Sequence, residues 1–289
     1  MENNVSIDTL LALIDDRDEE VYLAVRDKLM ESGPAILPVL EYALSSSISL
    51  LQHDRLEQII NQLKLSKLVE KTALWANSED KKLLDGWILL STIHHPAIVA
   101  DKIELLLQKI THNIWLNLND ALTSLEKVSI FNHYFFGVYH FELNTPDLFA
   151  SENCLINNLL VSRKGNLISL SALYCIIAQR LELPIHPIGI GQYLILGYYE
   201  PQISKEVYGE NADPYLFYIN IEHKGTILGA KELEYVVHEN KENLEHTTPL
   251  NDGTIIKMLL SLLKQSYLIK SDNDKLLIVN KLLDKLQRY

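Results

Sequence analysis

Cysteine is scarce in this sequence, and its basic residues are outnumbered by its acids. Its two cysteines, Cys154 and Cys175, make no disulfide framework and stand at no metal-ligand spacing, so reduced thiols and no metal are expected. Lysine and arginine number 26 against 38 aspartates and glutamates, a formal charge of −12 with a pI near 5.3. Phosphate binding relies on clustered cations, and their absence excludes nucleic acid as a main partner. No apolar run is long enough to span a bilayer, and the start, MENNVSIDTLLALIDDRDEE, has no basic segment and an apolar run broken by acids. No membrane association and a cytoplasmic location are expected. A glycine-rich phosphate cradle is also missing, because Gly189-x-Gly191 lies between strands and opens no helix. Asp147 and Asp213 read as turn residues, and no carboxylates pair at an acid/base spacing. No cofactor is expected.

What the sequence does hold is apolar bulk: 47% of 289 residues, enough for a sizeable core. Residues 1–119 read as an all-helical, HEAT-like domain. Ser6 caps a short helix ending near Asp15, and Asp18 starts another whose Val21, Val25 and Leu29 share a face and which stops at Ser32-Gly33. Pro34 opens the next, and the pattern recurs at Leu56–Leu65, Asp80–Ile93 and Ile98–Leu116. Asp120 to Phe141 is a helix leading into the aromatic run NHYFFGVYHF, which reads as packing surface. Asn153 to Ser162 reads as a short helix.

The stretch from Arg163 to Tyr199 organises the rest. Arg163-Lys164-Gly165 is a polar turn, and Leu167 to Leu181, closed by Leu183-Pro184, is too long and apolar for one strand, so a central helix is expected. Ile185 to Ile190 and Tyr193 to Tyr199 then form an antiparallel hairpin. Pro201–Pro214 reads as a polar loop, Tyr215–Ile221 and Thr226–Leu228 as strands, Ala230–Val237 as a helix and His238–Asp252 as an exposed linker. Thr254–Tyr267 and Asp274–Leu286 are two amphipathic helices. The fold class is α+β: a helical domain (1–119), a core with a central helix and small antiparallel sheet (120–245) and a C-terminal helical pair (246–289).

Several of these segments resemble the bacterial transglutaminase-like proteins of the SirB-one type. The likeness rests on Asn153-Cys154, Lys164-Gly165-Asn166-Leu167-Ile168-Ser169-Leu170-Ser171, Leu173-Tyr174, Ala178 to Pro184, Gly191-Gln192-Tyr193-Leu194 and the strand end Phe217 to Gly225. It implies a papain-like core, a helical N-terminal part and tetratricopeptide-like C-terminal helices. In the wider superfamily a Gly-x-Cys turn puts a thiolate at the start of the central helix. Here that position is Gly165-Asn166-Leu167, the hairpin His falls on Tyr193 and the orienting residue on Asn220. Leucine has no nucleophile, and a phenol with an ordinary pKa of about 10 is a poor base near neutrality.

The resemblance thus implies a catalytically inactive protein that binds a protein or peptide or acts as a scaffold. Its degenerate groove would comprise Asn153, Cys154, Gly165, Asn166, Leu167, Ser169, Gln192, Tyr193 and Asn220. The alternative is a cysteine-dependent hydrolase or transamidase that uses Cys154 as a displaced nucleophile with His186 or His223 as base. Ser169 and Ser171 read as capping or packing hydroxyls, Cys175 as a buried inert thiol, and His94-His95 as helix-end residues rather than metal ligands.

Overall fold

The computed structural model describes residues 6–190, 193–210, 212–239 and 247–286. The chain divides into two compact units, residues 1–74 and 75–289. In the first, α1 (Ile7–Ala12), α2 (Glu19–Glu31), α3 (Leu37–Ser46) and α4 (Leu50–Asn77) are all helix. Ser6 caps α1 by accepting from the Thr9 amide, and Asp18 caps α2 by accepting from Glu20. Their apolar stripes meet in one core that includes Ile14, Leu29, Leu40, Leu56 and Ile59. Arg55 is 7% exposed within it. Its guanidinium donates to the carbonyls of Ile14 (2.9 Å) and Asp16 (2.7 Å), pairs with Glu19 (2.9 Å) and lies 3.9 Å above the Tyr22 ring. Where the periodicity pointed to a helix over Leu56–Leu65, the structure runs a longer one from Leu50 to Asn77.

The second unit begins with α5 (Leu83–Ser91), α6 (Ala100–Trp115) and α7 (Ser124–Asn132), the last running into a π-helical turn, His133–Val138. The short β1 (Glu142–Leu143) follows, then a 3₁₀ turn at Ser151–Cys154 and α8 (Ile156–Ser162). The helix expected over Asn153–Ser162 is therefore broken at Leu155, which adopts an extended conformation. β2 (Lys164–Gly165) pairs parallel with β1 and feeds α9 (Leu167–Arg180), the expected central helix, in which every residue from Ser169 to Ala178 is buried.

The hairpin β3 (Ile185–Ile190) and β4 (Tyr193–Tyr199) follows α9. α10 (Pro201–Tyr208), β5 (Tyr215–Asn220), β6 (Thr226–Leu228), α11 (Ala230–Glu239), β7 (Thr247–Pro249), α12 (Asp252–Lys270) and α13 (Asn273–Leu286) complete the chain. The five-stranded sheet is antiparallel throughout, in the order β6-β5-β4-β3-β7. Two loop expectations give way to regular structure. Pro201 supplies the first-turn proline of α10 inside the expected loop, and Thr247–Pro249 of the expected linker adds an edge strand to β3. The architecture is α+β, with α9 packed on β3 and β4 on one side and on α5, α6 and α12 on the other. Arg180 fixes α9 to α6 through a two-pronged pair with Glu104 (2.8 and 2.7 Å), which holds that carboxyl below its ordinary range.

Candidate functional site

Site geometry starts from the turn into α9. Arg163, in the left-handed region (φ 64), ends α8, and its carbonyl accepts from Glu142 while Gly165's accepts from Asn144. A side chain at Gly165 has no room: a Cβ there would sit 2.5 Å from Ser169 Oγ and 2.9 Å from Leu159 Cδ1. Asn166 then caps α9 in a reciprocal box, its Oδ1 accepting from the Ser169 amide (2.8 Å) and its own amide donating to Ser169 Oγ (3.0 Å). That assigns Ser169 the capping role expected of it. The remaining polar atom of Asn166, Nδ2, donates to Cys154 Sγ at 3.2 Å.

Five of the expected residues therefore meet here: Asn153, Cys154, Gly165, Asn166 and Ser169. Cys154 is 2% exposed. Burial pushes its thiol up to about 12, against the opposing hydrogen bond from Asn166, and the charge of Glu152 pushes the same way as burial. Trp87 Nε1 donates to the Cys154 carbonyl (2.7 Å), and Ser91 Oγ accepts from the Ile156 amide (3.1 Å), so α5 clamps the chain on both sides of the sulfur. Asn153 is equally enclosed. Its Oδ1 accepts from Asn144 (2.9 Å) and its Nδ2 donates to the carbonyls of Asp147 and Leu148. Neither Asn153 nor Asn166 keeps a free amide for a ligand. Leu167, half-buried, is the first residue of α9.

Tyr193 and Asn220 are not brought to this turn. Directly paired strand residues share a face, and Ile190↔Tyr193, Ile188↔Ile195, Gly197↔Tyr218 and Asn220↔Thr226 place both residues with Ile188, Ile195 and Tyr218. That face packs against Leu233 of α11. The opposite face, Leu194, Leu196, Tyr198, Phe217 and Ile219, is the one α9 covers, and all five are buried. Tyr193 is 40% exposed instead. Gln192 lies outside the described residues. His186 shares the α11 face, opposite Gly197 and edge-on to Tyr199, and His223 is exposed in the turn after β5. Neither histidine is placed as a base for Cys154.

The other candidates also resolve. Cys175 is buried mid-helix with its thiol raised by burial. Ser171 Oγ is buried without a hydrogen-bond partner. His94 stacks on Tyr267 (5.6 Å between centroids), and burial lowers its pKa; His95 Nε2 meets Asn158 Oδ1 at 3.0 Å. Among the described residues no group of three or more His, Cys, Asp or Glu is placed to hold a metal ion, and no helix is long and apolar enough to cross a membrane. The pattern alone missed two contacts that define the turn, Trp87 and Ser91, which reach it across more than sixty residues of chain. It also missed Tyr174, fully buried, whose hydroxyl donates to Asn132 Oδ1 (2.9 Å) while Asn132 Nδ2 donates to the Gly225 carbonyl (2.8 Å). Gly225, at φ +77, leaves space that a Cβ would take from Asn132.

The model for the transglutaminase-like superfamily matches residues 101–261, more than half of the chain. The chain belongs to the transglutaminase-like superfamily. It is also similar to the UPF0162 protein of Pasteurella multocida (strain Pm70), 31% identical over 93 residues, covering 32% of this chain and 33% of that protein. The chain thus matches about a third of the length of that relative. No solved structure matches it.

Proposed function

We propose that this member of the transglutaminase-like superfamily lacks a working thiol–imidazole couple and acts by binding a protein or peptide partner, as a scaffold module. One observation carries the reading. The sulfur beside the start of α9 is Cys154, sealed from solvent, hydrogen-bonded by an asparagine amide and pushed up to about 12, while the residue that opens the helix is Leu167. A nucleophile needs a thiolate and a neighbouring base, and the sheet face toward α9 carries Leu194, Leu196, Tyr198, Phe217 and Ile219, with no imidazole among them. The reading includes placement in the SirB-one-type branch and the cytoplasm. It also includes the three-part plan: a helical 1–119, a core 120–245 and a tetratricopeptide-like pair 246–289.

The test is an amide-bond assay on the full chain. Wild type and Cys154→Ser are incubated with glutamine-containing peptides, with and without a primary amine, and ammonia release and amine incorporation are followed. Equal, background-level signals are expected for both proteins. Turnover by the wild type that is lost in Cys154→Ser overturns the reading.

A further inference from the structure

The sheet face away from α9 is covered only in part. Leu233 of α11 packs there with Ile188, Ile190, Ile195 and Tyr218. Where β3 begins and β4 ends, the same face carries three rings in succession. His186 is exposed, Tyr199 is 44% exposed and Tyr215 is half-buried. His186 stands edge-on to Tyr199, with 5.9 Å between centroids and 83° between planes, and Tyr199 stands edge-on to Tyr215 at 5.6 Å and 72°. Gly197 makes room for the row: a Cβ there would lie 2.6 Å from Tyr215 Cδ1 and 2.5 Å from Ile188 Cδ1, so only a glycine lets the Tyr215 ring lie down on the strand.

Ring geometry and charge together specify an occupant. A base or another flat ligand stacks on an open ring face, whereas successive rings near right angles form two notches, each bounded by one ring's face and the next ring's edge. Pyrrolidine rings suit such notches, and a proline-rich chain presents them on a preformed polyproline helix whose carbonyls are unbonded. The Tyr199 and Tyr215 hydroxyls have no hydrogen-bond partner among the described residues, which leaves two donors for those carbonyls. Beside the rings the surface is acidic. Residues 200–213, joining β4 to β5 through α10, hold Glu200, Glu206, Glu210 and Asp213 against a single Lys205. Asp213 is exposed, and its carboxylate accepts the Tyr215 amide (3.0 Å) and meets the Tyr218 hydroxyl, which fixes an anion at the foot of the row. The complement of an acidic rim is a basic partner.

We propose that this end of the sheet face binds a basic, proline-rich segment of a partner protein, with prolines in the notches between His186, Tyr199 and Tyr215 and an Arg or Lys against Asp213. It rests on the binding reading above and names the partner's chemistry, on the far side of the sheet from the α9 turn. The probe is a synthetic twelve-residue peptide with two Pro-x-x-Pro units and terminal arginines, titrated on the full chain by fluorescence anisotropy. Two copies serve as controls, one with its arginines changed to Glu and one with its prolines changed to Ala. Saturable binding of the parent peptide is expected, about tenfold weaker for each copy and about tenfold weaker on Tyr199→Ala and on His186→Ala. Asp213→Asn keeps an oxygen for the Tyr215 amide and should lose the preference for Arg over Glu. Absence of binding would overturn the proposal. So would binding that survives loss of the prolines or of the Tyr199 ring in variants with wild-type unfolding midpoints, which marks general attraction to an acidic chain. A Cys154-dependent activity, by contrast, would sink the inactive reading and leave these titrations standing.

Discussion

The first turn of α9 and the surface beside α8 belong to the same compact unit and expose their side chains to opposite degrees. At the turn, Asn166 and Ser169 satisfy each other, Asn153 is held by Asn144 and the carbonyls of Asp147 and Leu148, and the thiol beside Asn166 is shut from water, while Arg163 Nη1 stays buried without a partner. Beside α8, the apolar side chains of Val99, Leu106 and Val161 stay exposed. Completed hydrogen bonding rigidifies the closed site. A fold can keep its packing whatever chemistry its sites carry, so the closed turn is compatible with the proposed binding role.

The largest effect expected on the closed side comes from Trp87, which is fully buried and donates to the Cys154 carbonyl. Trp87→Ala should cost about 3–5 kcal/mol in urea unfolding, and a loss below about 1 kcal/mol would show that the turn does not depend on that clamp. Gly165→Ala comes next, at about 1–3 kcal/mol, because the new methyl collides with Ser169 and Leu159; an unchanged midpoint would contradict the tight approach. Asn166→Ala removes the cap of α9 and should cost about 1 kcal/mol. The same truncation on the open side, Asn157→Ala, should stay within about 0.5 kcal/mol. Equal costs at the two asparagines, read by the same denaturation, would erase the distinction between the regions.

The smallest expected effect is a pH dependence. Burial lowers the His94 pKa, with Lys275, His95 and Lys270 acting in the same sense and Glu152 against it. The unfolded chain therefore takes up that proton first. Stability from this group is level above about pH 6.5 and declines as the pH falls below it, until the folded imidazole titrates as well. His94→Gln should lose less stability between pH 7.5 and 5.5 than wild type in matched denaturation curves. An equal or greater loss in the variant would assign the acid sensitivity elsewhere, His186 being the next buried-lowered imidazole.

Much of this core was legible in the residues. The glycine turn, the span of α9 and the hairpin announce themselves through turn chemistry, apolar length and the change of period after Pro184. The face of the hairpin was not legible. YLILGYY, Tyr193–Tyr199, is buried at every position but its ends, so it carries no polar alternation to show which residues point at α9. Aligning Tyr193 with the superfamily's histidine therefore said nothing of the face on which it lies. The Pro201–Pro214 stretch hid α10 because the helix is only 8 residues long and runs straight into the turn-forming residues from Gly209 to Pro214. The clamp of Trp87 and Ser91 on Cys154–Ile156 depends on contacts between distant segments, for which local pattern holds no signal.

The central claim is that the thiol at the start of α9 is held neutral and out of reach, and alkylation of Cys154 against pH tests it most directly. Iodoacetamide labelling of the folded chain, read residue by residue by mass spectrometry between pH 6 and 9, should be far slower at Cys154 than in urea and should show no titration near neutrality. Rapid labelling of Cys154 at pH 6, outpacing Cys175 in the folded protein, would contradict the account and mark a thiolate paired with a base.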